Sequence, residues 1–242
     1  MNQVTVPALE SFPADGLAVV VGAGGGLGGA FVKLLGDSGR FARVMALGRT
    51  SAPPLDFEDE ASIETAAGAA GASGLELRLL IDASGTLHAG DMQPEKSWRD
   101  LTPENLARAF LINASGPALL MKHFLPLIPR DGKACFATLS AKVGSIGDNR
   151  MGGWYAYRAS KAALNQMVRS AAIELGRRKR EALCLALHPG TVDTGLSKPF
   201  SKSGLKLQQP EESAARLLSV IDRLDAAASG GFYAYDGERL PW

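Results

Sequence analysis

Tyr157 and Lys161 stand four residues apart at the start of an Ala- and Leu-rich run with helical periodicity through Leu175, so both project from one helix face. A phenol titrating near about 10 gives and takes protons poorly at neutral pH, whereas a neighbouring ammonium favours the phenolate. The pair reads as a general acid/base in which Lys161 acidifies Tyr157. The competing reading is a half-buried tyrosine beside a solvated lysine. The spacing alone is a weak signal, and what accompanies it decides.

A second stretch with chemical potential is Gly22-Ala23-Gly24-Gly25-Gly26-Leu27-Gly28-Gly29. It follows an apolar run at 17–21 and precedes Leu27, Phe31, Leu34 and Leu35 at helical spacing, which reads as strand, turn, helix. Glycines at 22, 24, 26 and 28 would let the backbone approach a pyrophosphate, with amides around Leu27 meeting its charge. Three glycine spacings fit the run, namely 22/26/28, 22/25/28 and 24/26/29. The next apolar run ends Ala46-Leu47-Gly48-Arg49, without the acidic residue that favours NAD. The planar fork of Arg49 suits a 2′-phosphate, so NADP is expected as cofactor, with NAD possible.

These residues need a scaffold, and the pattern supplies one. Apolar runs at 17–21, 43–47, 75–81, 134–139 and 183–187 read as strands buried on both faces, and helical patterns lie from about 63, at 103–127, at 153–177 and at 210–224. The expected fold is α/β: a single Rossmann-like domain over residues 1–242 with a doubly wound parallel sheet flanked by helices, and ligands beyond the carboxyl ends of the strands. Residues 195–209, with Lys198, Phe200, Lys202, Leu205 and Lys206, are expected to form a substrate loop.

A net charge of +1, from 26 Lys+Arg and 25 Asp+Glu, leaves no nucleic-acid footprint. The expected partners are a small-molecule carbonyl or alcohol and copies of the chain itself. No uncharged apolar run approaches the length of a membrane span, so a cytoplasmic protein that does not enter the membrane is expected. Cys135 and Cys184 lie in apolar runs and read as reduced, buried thiols. His88, His123 and His188 are far apart, and no metal is expected.

With the glycine turn early and Tyr157/Lys161 late, the chain resembles the short-chain dehydrogenase/reductase family over nearly its whole length. Asp82-Ala83-Ser84-Gly85 stands where that family has Asn-Asn-Ala-Gly, and Asn113-Ala114-Ser115-Gly116 matches its asparagine-bearing helix segment. His188-Pro189-Gly190-Thr191-Val192-Asp193-Thr194 looks like its Pro-Gly segment. Gly144-Ser145-Ile146, the approach 152–157 and the ending 235–242 resemble the sniffer-type carbonyl reductases and C-factor-like proteins.

The resemblance implies hydride transfer between nicotinamide and a carbonyl or secondary alcohol. Tyr157 would move the proton, Lys161 would hold the nicotinamide ribose, Asn113 would bind a water leading to Lys161, and Ser140 would hydrogen-bond the substrate oxygen. Ala83, Ser84 and Gly85 would flank the cofactor, Pro189, Gly190, Val192 and Thr194 would meet its nicotinamide end, and Asp56 its adenine edge. A homodimer or homotetramer would form on the helices starting at Pro103 and Gly153.

Three departures stand out. Ala141 occupies the usual serine position before Gly144, leaving Ser140, brought in by a bulge, or Ser145 as the alternative. Asp82 replaces an amide donor, and the stretch from 49 to 63 is short. Two other functions are compatible with the chain: a dinucleotide-binding regulatory protein with little turnover, and a sugar-nucleotide epimerase suggested by the 22/25/28 spacing.

Overall fold

The computed structural model describes residues 4–88, 90, 92–195 and 207–242. Six strands, β1 (Gly16–Val21), β2 (Phe41–Leu47), β3 (Leu77–Asp82), β4 (Ala134–Leu139), β5 (Ala182–His188) and β6 (Phe232–Ala234), form one sheet in the order β2-β1-β3-β4-β5-β6. Every pairing is parallel. The helices are α1 (Gly26–Asp37), α2 (Glu60–Gly71), α3 (Pro103–Phe110), α4 (Gly116–Phe124), α5 (Tyr155–Gly176) and α6 (Pro210–Arg223).

Alternation along each strand sorts side chains into two cores. Leu17, Val19 and Val21 pack with Ile63, Phe124, Leu164 and Val168 of α2, α4 and α5. Ala18 and Val20 pack with Phe31, Leu34, Leu217 and Ile221 of α1 and α6. Both faces are covered, which is why the strands read as unbroken apolar runs. The chain leaves β1 for β2 on one side and then crosses to β3 on the other, so the connections part between β1 and β3. A crevice at their carboxyl ends is the ligand position this topology provides.

Two elements differ from the sequence reading. The helix expected over 103–127 is interrupted by a π-helical turn, Leu111–Ser115, and ends in a 3-10 turn, Leu125–Leu127. Pro117 has no N–H to give the carbonyl of Asn113 and its ring crowds that carbonyl, so regular i→i−4 bonding fails there. Strand β6 was not anticipated, because three residues after two glycines carry too little periodicity. Among the described residues 48–59 no strand forms, so β2 is a sheet edge. The expected substrate loop, with its lysines 198, 202 and 206, lies for the most part outside the described residues.

Candidate active site

The first wall of the crevice is the turn after β1. Gly22 has a φ of 76°, and a Cβ on Gly28 would stand 2.1 Å from the Gly22 carbonyl oxygen. Both positions therefore require glycine to let the turn fold back on α1. Gly24 meets nothing within 4 Å, so its face is open. Helix α1 has Gly25 at its N-cap with no side-chain cap and no acidic residue in its first turn, which leaves the opening amides and the positive helix end for an anion. Leu27 is half-buried against the α1/α6 core, and the Thr194 methyl would lie 3.1 Å from a Cβ on Gly26. The segment after β5 thus closes over the glycine turn. Within it Gly190 has a φ of 78°, Val192 is buried, and Pro189 O accepts from Ser213 Oγ at 2.7 Å.

The second wall is the turn after β3. Ala83 N donates to Val21 O at 2.9 Å, drawing the β1 and β3 ends together. Ser84 is turned inward: its N–H and hydroxyl both donate to Asp82 Oδ1, at 3.0 and 2.5 Å. Asp82 Oδ2 accepts from Thr138 Oγ1 at 2.6 Å. Three donors thus hold the Asp82 side chain where the family has an amide. Arg49 is exposed at the carboxyl end of β2, and Asp56 Oδ1 caps a local turn by accepting from Glu58 N at 3.1 Å.

Asn113 is fully buried, its Oδ1 accepting from Thr86 N and its Nδ2 donating to Thr86 O, both at 2.8 Å. A further bond runs from Nδ2 to Ser160 Oγ at 3.1 Å, and Ser160 Oγ donates to Tyr157 O at 2.9 Å. The Asn113 side chain therefore braces the β3 turn against α5. The π turn is what sets it there.

Helix α5 carries Tyr157, Lys161, Leu164, Asn165 and Val168 on its buried face. Its N-cap, Trp154, has a left-handed φ of 51°, a conformation costing a bulky residue about 1–3 kcal/mol. Glu95 holds that start in place: its backbone oxygen accepts from Trp154 N at 2.5 Å and its Oε2 from Ala156 N at 3.2 Å. The Trp154 and Tyr157 rings meet edge to face, 6.3 Å between centroids.

Lys161 is buried and its Nζ donates to Leu139 O at 2.8 Å. Burial lowers the ammonium to about 8, with the Asp82 charge opposing the shift. Burial also pushes the Tyr157 phenol up to about 12. The shift at Tyr157 runs opposite to the acidification expected from Lys161, and burial is its cause; the ammonium itself is engaged at the end of β4. Tyr157 is protonated at neutral pH.

Ser140 follows β4 directly and is buried. Its hydroxyl donates to Asn165 Oδ1 at 2.7 Å inside the seam between β4 and α5. Asn165 lies eight residues, about 12 Å of helix, beyond Tyr157. Ala141 occupies the next, more exposed position, and Ser145 Oγ accepts from Asp148 N at 3.1 Å.

Thr86, Glu95, Ser160 and Asn165 were not anticipated. Ser160 had a signal, lying three residues from Tyr157 on the same helix face. Glu95 had none, being 61 residues from the amide it caps.

A family model described as enoyl-(acyl carrier protein) reductase matches residues 30–236, which take in the π turn, Tyr157 and Lys161. The chain is a member of the short-chain dehydrogenase/reductase family. The match begins after the glycine turn, so that turn rests on its own geometry. Among members of the family, the chain is 31% identical over 233 residues to the 1-hydroxy-2-glutathionyl-2-methyl-3-butene dehydrogenase of Rhodococcus sp. (strain AD45), covering 93% of this chain and 98% of that one. It is 38% identical over 143 residues to C-signal of Myxococcus xanthus, covering 59% and 82% respectively. The NADPH-bound carbonyl reductase from chicken fatty liver superposes with a TM-score of 0.81 at 27% identity, over 95% of this chain and 99% of that one. Family membership makes the chain an oxidoreductase, and no described helix is long and apolar enough to cross a membrane.

Proposed function

We propose that the protein reduces a carbonyl compound to a secondary alcohol with NADPH. The observation that carries the reading is the buried Tyr157 phenol, one helical turn from the buried Lys161 ammonium on the same face of α5. A protonated phenol can give its proton to the alkoxide that develops in a reduction, and the same group would take it back in the reverse direction. Bound NADPH supplies the hydride. The chain's residues do the rest: the glycine turn and the α1 amides take the pyrophosphate, Lys161 orients the ribose, and Asn113 with Ser160 fixes the helix that aims Tyr157 Oη at the carbonyl oxygen. The NADPH held by the chicken carbonyl reductase supports the cofactor assignment.

Arg49 is proposed to select NADPH over NADH. In a titration followed by nicotinamide fluorescence, Arg49→Ala should weaken NADPH about tenfold or more, the scale of one charge-assisted contact, and leave NADH nearly unchanged. Equal loss for both nucleotides would remove Arg49 from the 2′-phosphate. The rate should also report Lys161. Its charge is present below about pH 8 and is lost above it, so kcat/KM for reduction falls as pH rises through about 8. Tyr157 adds no limb until about 12. A rate that climbs from pH 7 to 9, as for a tyrosinate base, would refute this reading.

A homo-oligomer is proposed to form through α4 and α5. Between them runs a groove lined by Ala118, Met121, Leu125, Met167, Ala171 and Leu175, with Met167 exposed. Met167→Glu should shift the mass in light scattering toward the monomer; an unchanged mass would place the interface elsewhere.

One observation favours a second reading. Ser140 is committed to Asn165, which leaves no serine hydroxyl from that position for the substrate and fits a nucleotide-dependent regulator with little turnover. NADPH binding without oxidation on a panel of aldehydes and diketones would favour it.

A further inference from the structure

The buried carboxylate at the end of β3 has no role in the reading above. Asp82 is fully buried, yet its neighbours are arranged for a charged group. Ser84 N, Ser84 Oγ and Thr138 Oγ1 all donate to it. Ser84 N can only donate, and the two hydroxyls stand where they donate to a carboxylate, so three donors converge on the two oxygens. The carboxyl lies above its ordinary value because burial is the largest influence on it, and the Ser84 and Thr138 donors and the Lys161 charge offset part of that rise.

The ammonium of Lys161 lies directly beyond. Thr138 pairs with Asp82 in the parallel register, and Lys161 Nζ bonds the carbonyl of the following residue, Leu139. On the β3 side, a Cβ at Gly85 would be 3.6 Å from the same Nζ. The ammonium thus sits over the β3–β4 pair, one residue along from the carboxylate. Among the described residues, Tyr157, one turn back on α5, is a further titratable group there, and it is neutral. Asn113 and Thr86, bonded to each other beside Gly85, add no charge.

We propose that Asp82 is a positioning residue for Lys161, a fixed counter-charge beneath the sheet ends that keeps the buried ammonium protonated and centred over the β3–β4 pair. The proposal rests on the oxidoreductase reading only in the use made of that charge, which is to hold the nicotinamide ribose and to set the alkaline limit of cofactor binding. Asn would preserve the shape of Asp82 and remove the charge. An ammonium that loses an opposite charge at this range titrates lower by about one pH unit or more.

The test follows Lys161 directly. Protein labelled with 13C at the lysine Cε is titrated by NMR from about pH 6 to about pH 11, with the resonance assigned through Lys161→Met. The wild-type midpoint is expected near 8, and in Asp82→Asn it should fall by about one unit or more. NADPH affinity, measured over the same range, should decline across each protein's own midpoint, so that between the two midpoints the variant binds about tenfold more weakly. An Asp82→Asn midpoint equal to or above wild type would overturn the proposal, as would a loss of affinity uniform across pH. If Asp82→Asn fails to fold, Asp82→Ser, which retains an acceptor for Ser84 N, must show the same downward midpoint. Failure of the wild type to bind NADPH at any pH would instead strike the oxidoreductase reading, leaving the Asp82–Lys161 coupling to be judged by the NMR midpoints alone.

Discussion

Tyr157→Phe will lower kcat for carbonyl reduction by about a hundred- to ten-thousand-fold, the range a positioned general acid contributes, while leaving NADPH affinity within a factor of a few. The substitution removes one oxygen from a buried ring, so the packing against Trp154 is kept and the fold is not expected to suffer. What is lost is the only proton that α5 presents at the level of the substrate in the proposed mechanism. Steady-state kinetics and a nicotinamide fluorescence titration on the same preparation check it. Retention of more than about a tenth of the wild-type kcat would show that Tyr157 is not the proton donor. Lost nucleotide binding would show instead that the phenol is needed to shape the site.

The second large effect belongs to the turn after β1. A methyl group on residue 28 would meet Gly22 O at 2.1 Å, Gly22 C at 2.7 Å and Ala23 Cα at 2.9 Å, all backbone atoms that cannot rotate away. Gly28→Ala must therefore push α1 off the turn, at a cost of about 1–3 kcal/mol or more, equivalent to roughly 5- to 150-fold in affinity if it falls on the ligand-bound state. Lower Tm together with weakened NADPH binding is expected. Gly24→Ala is the informative partner, because its Cβ would meet no protein atom within 4 Å. Its Tm should match the wild type, so any loss of NADPH affinity reports the ligand's own approach to residue 24. A Gly28→Ala protein with wild-type Tm and affinity would show that the turn yields more readily than its geometry implies.

Much of this site was legible because it is local. Tyr157 and Lys161 share a face through helical spacing alone, and the glycine run announces a strand–turn–helix whatever surrounds it. The parallel sheet was legible too, since strands buried on both faces must be apolar throughout. Arg49 at the end of β2 follows from the same reasoning. Which of the overlapping glycine spacings mattered was not, because Gly28 is required by contact with Gly22 and Gly24 is not.

The sequence by itself determined the fold class, the strand-end location of the ligand crevice and the residue types that could move a proton, for these depend on periodicity and on side-chain chemistry. Tertiary structure alone decided how those residues behave. Ser140 is turned onto Asn165 by the packing of β4 against α5. Asn113 reaches Thr86 because the helix expected to be continuous opens into a π turn. Glu95 caps a helix from 61 residues away. Tyr157 keeps its proton and Lys161 is drawn toward losing its own because desolvation depends on everything packed around a group, and no spacing along the chain records it.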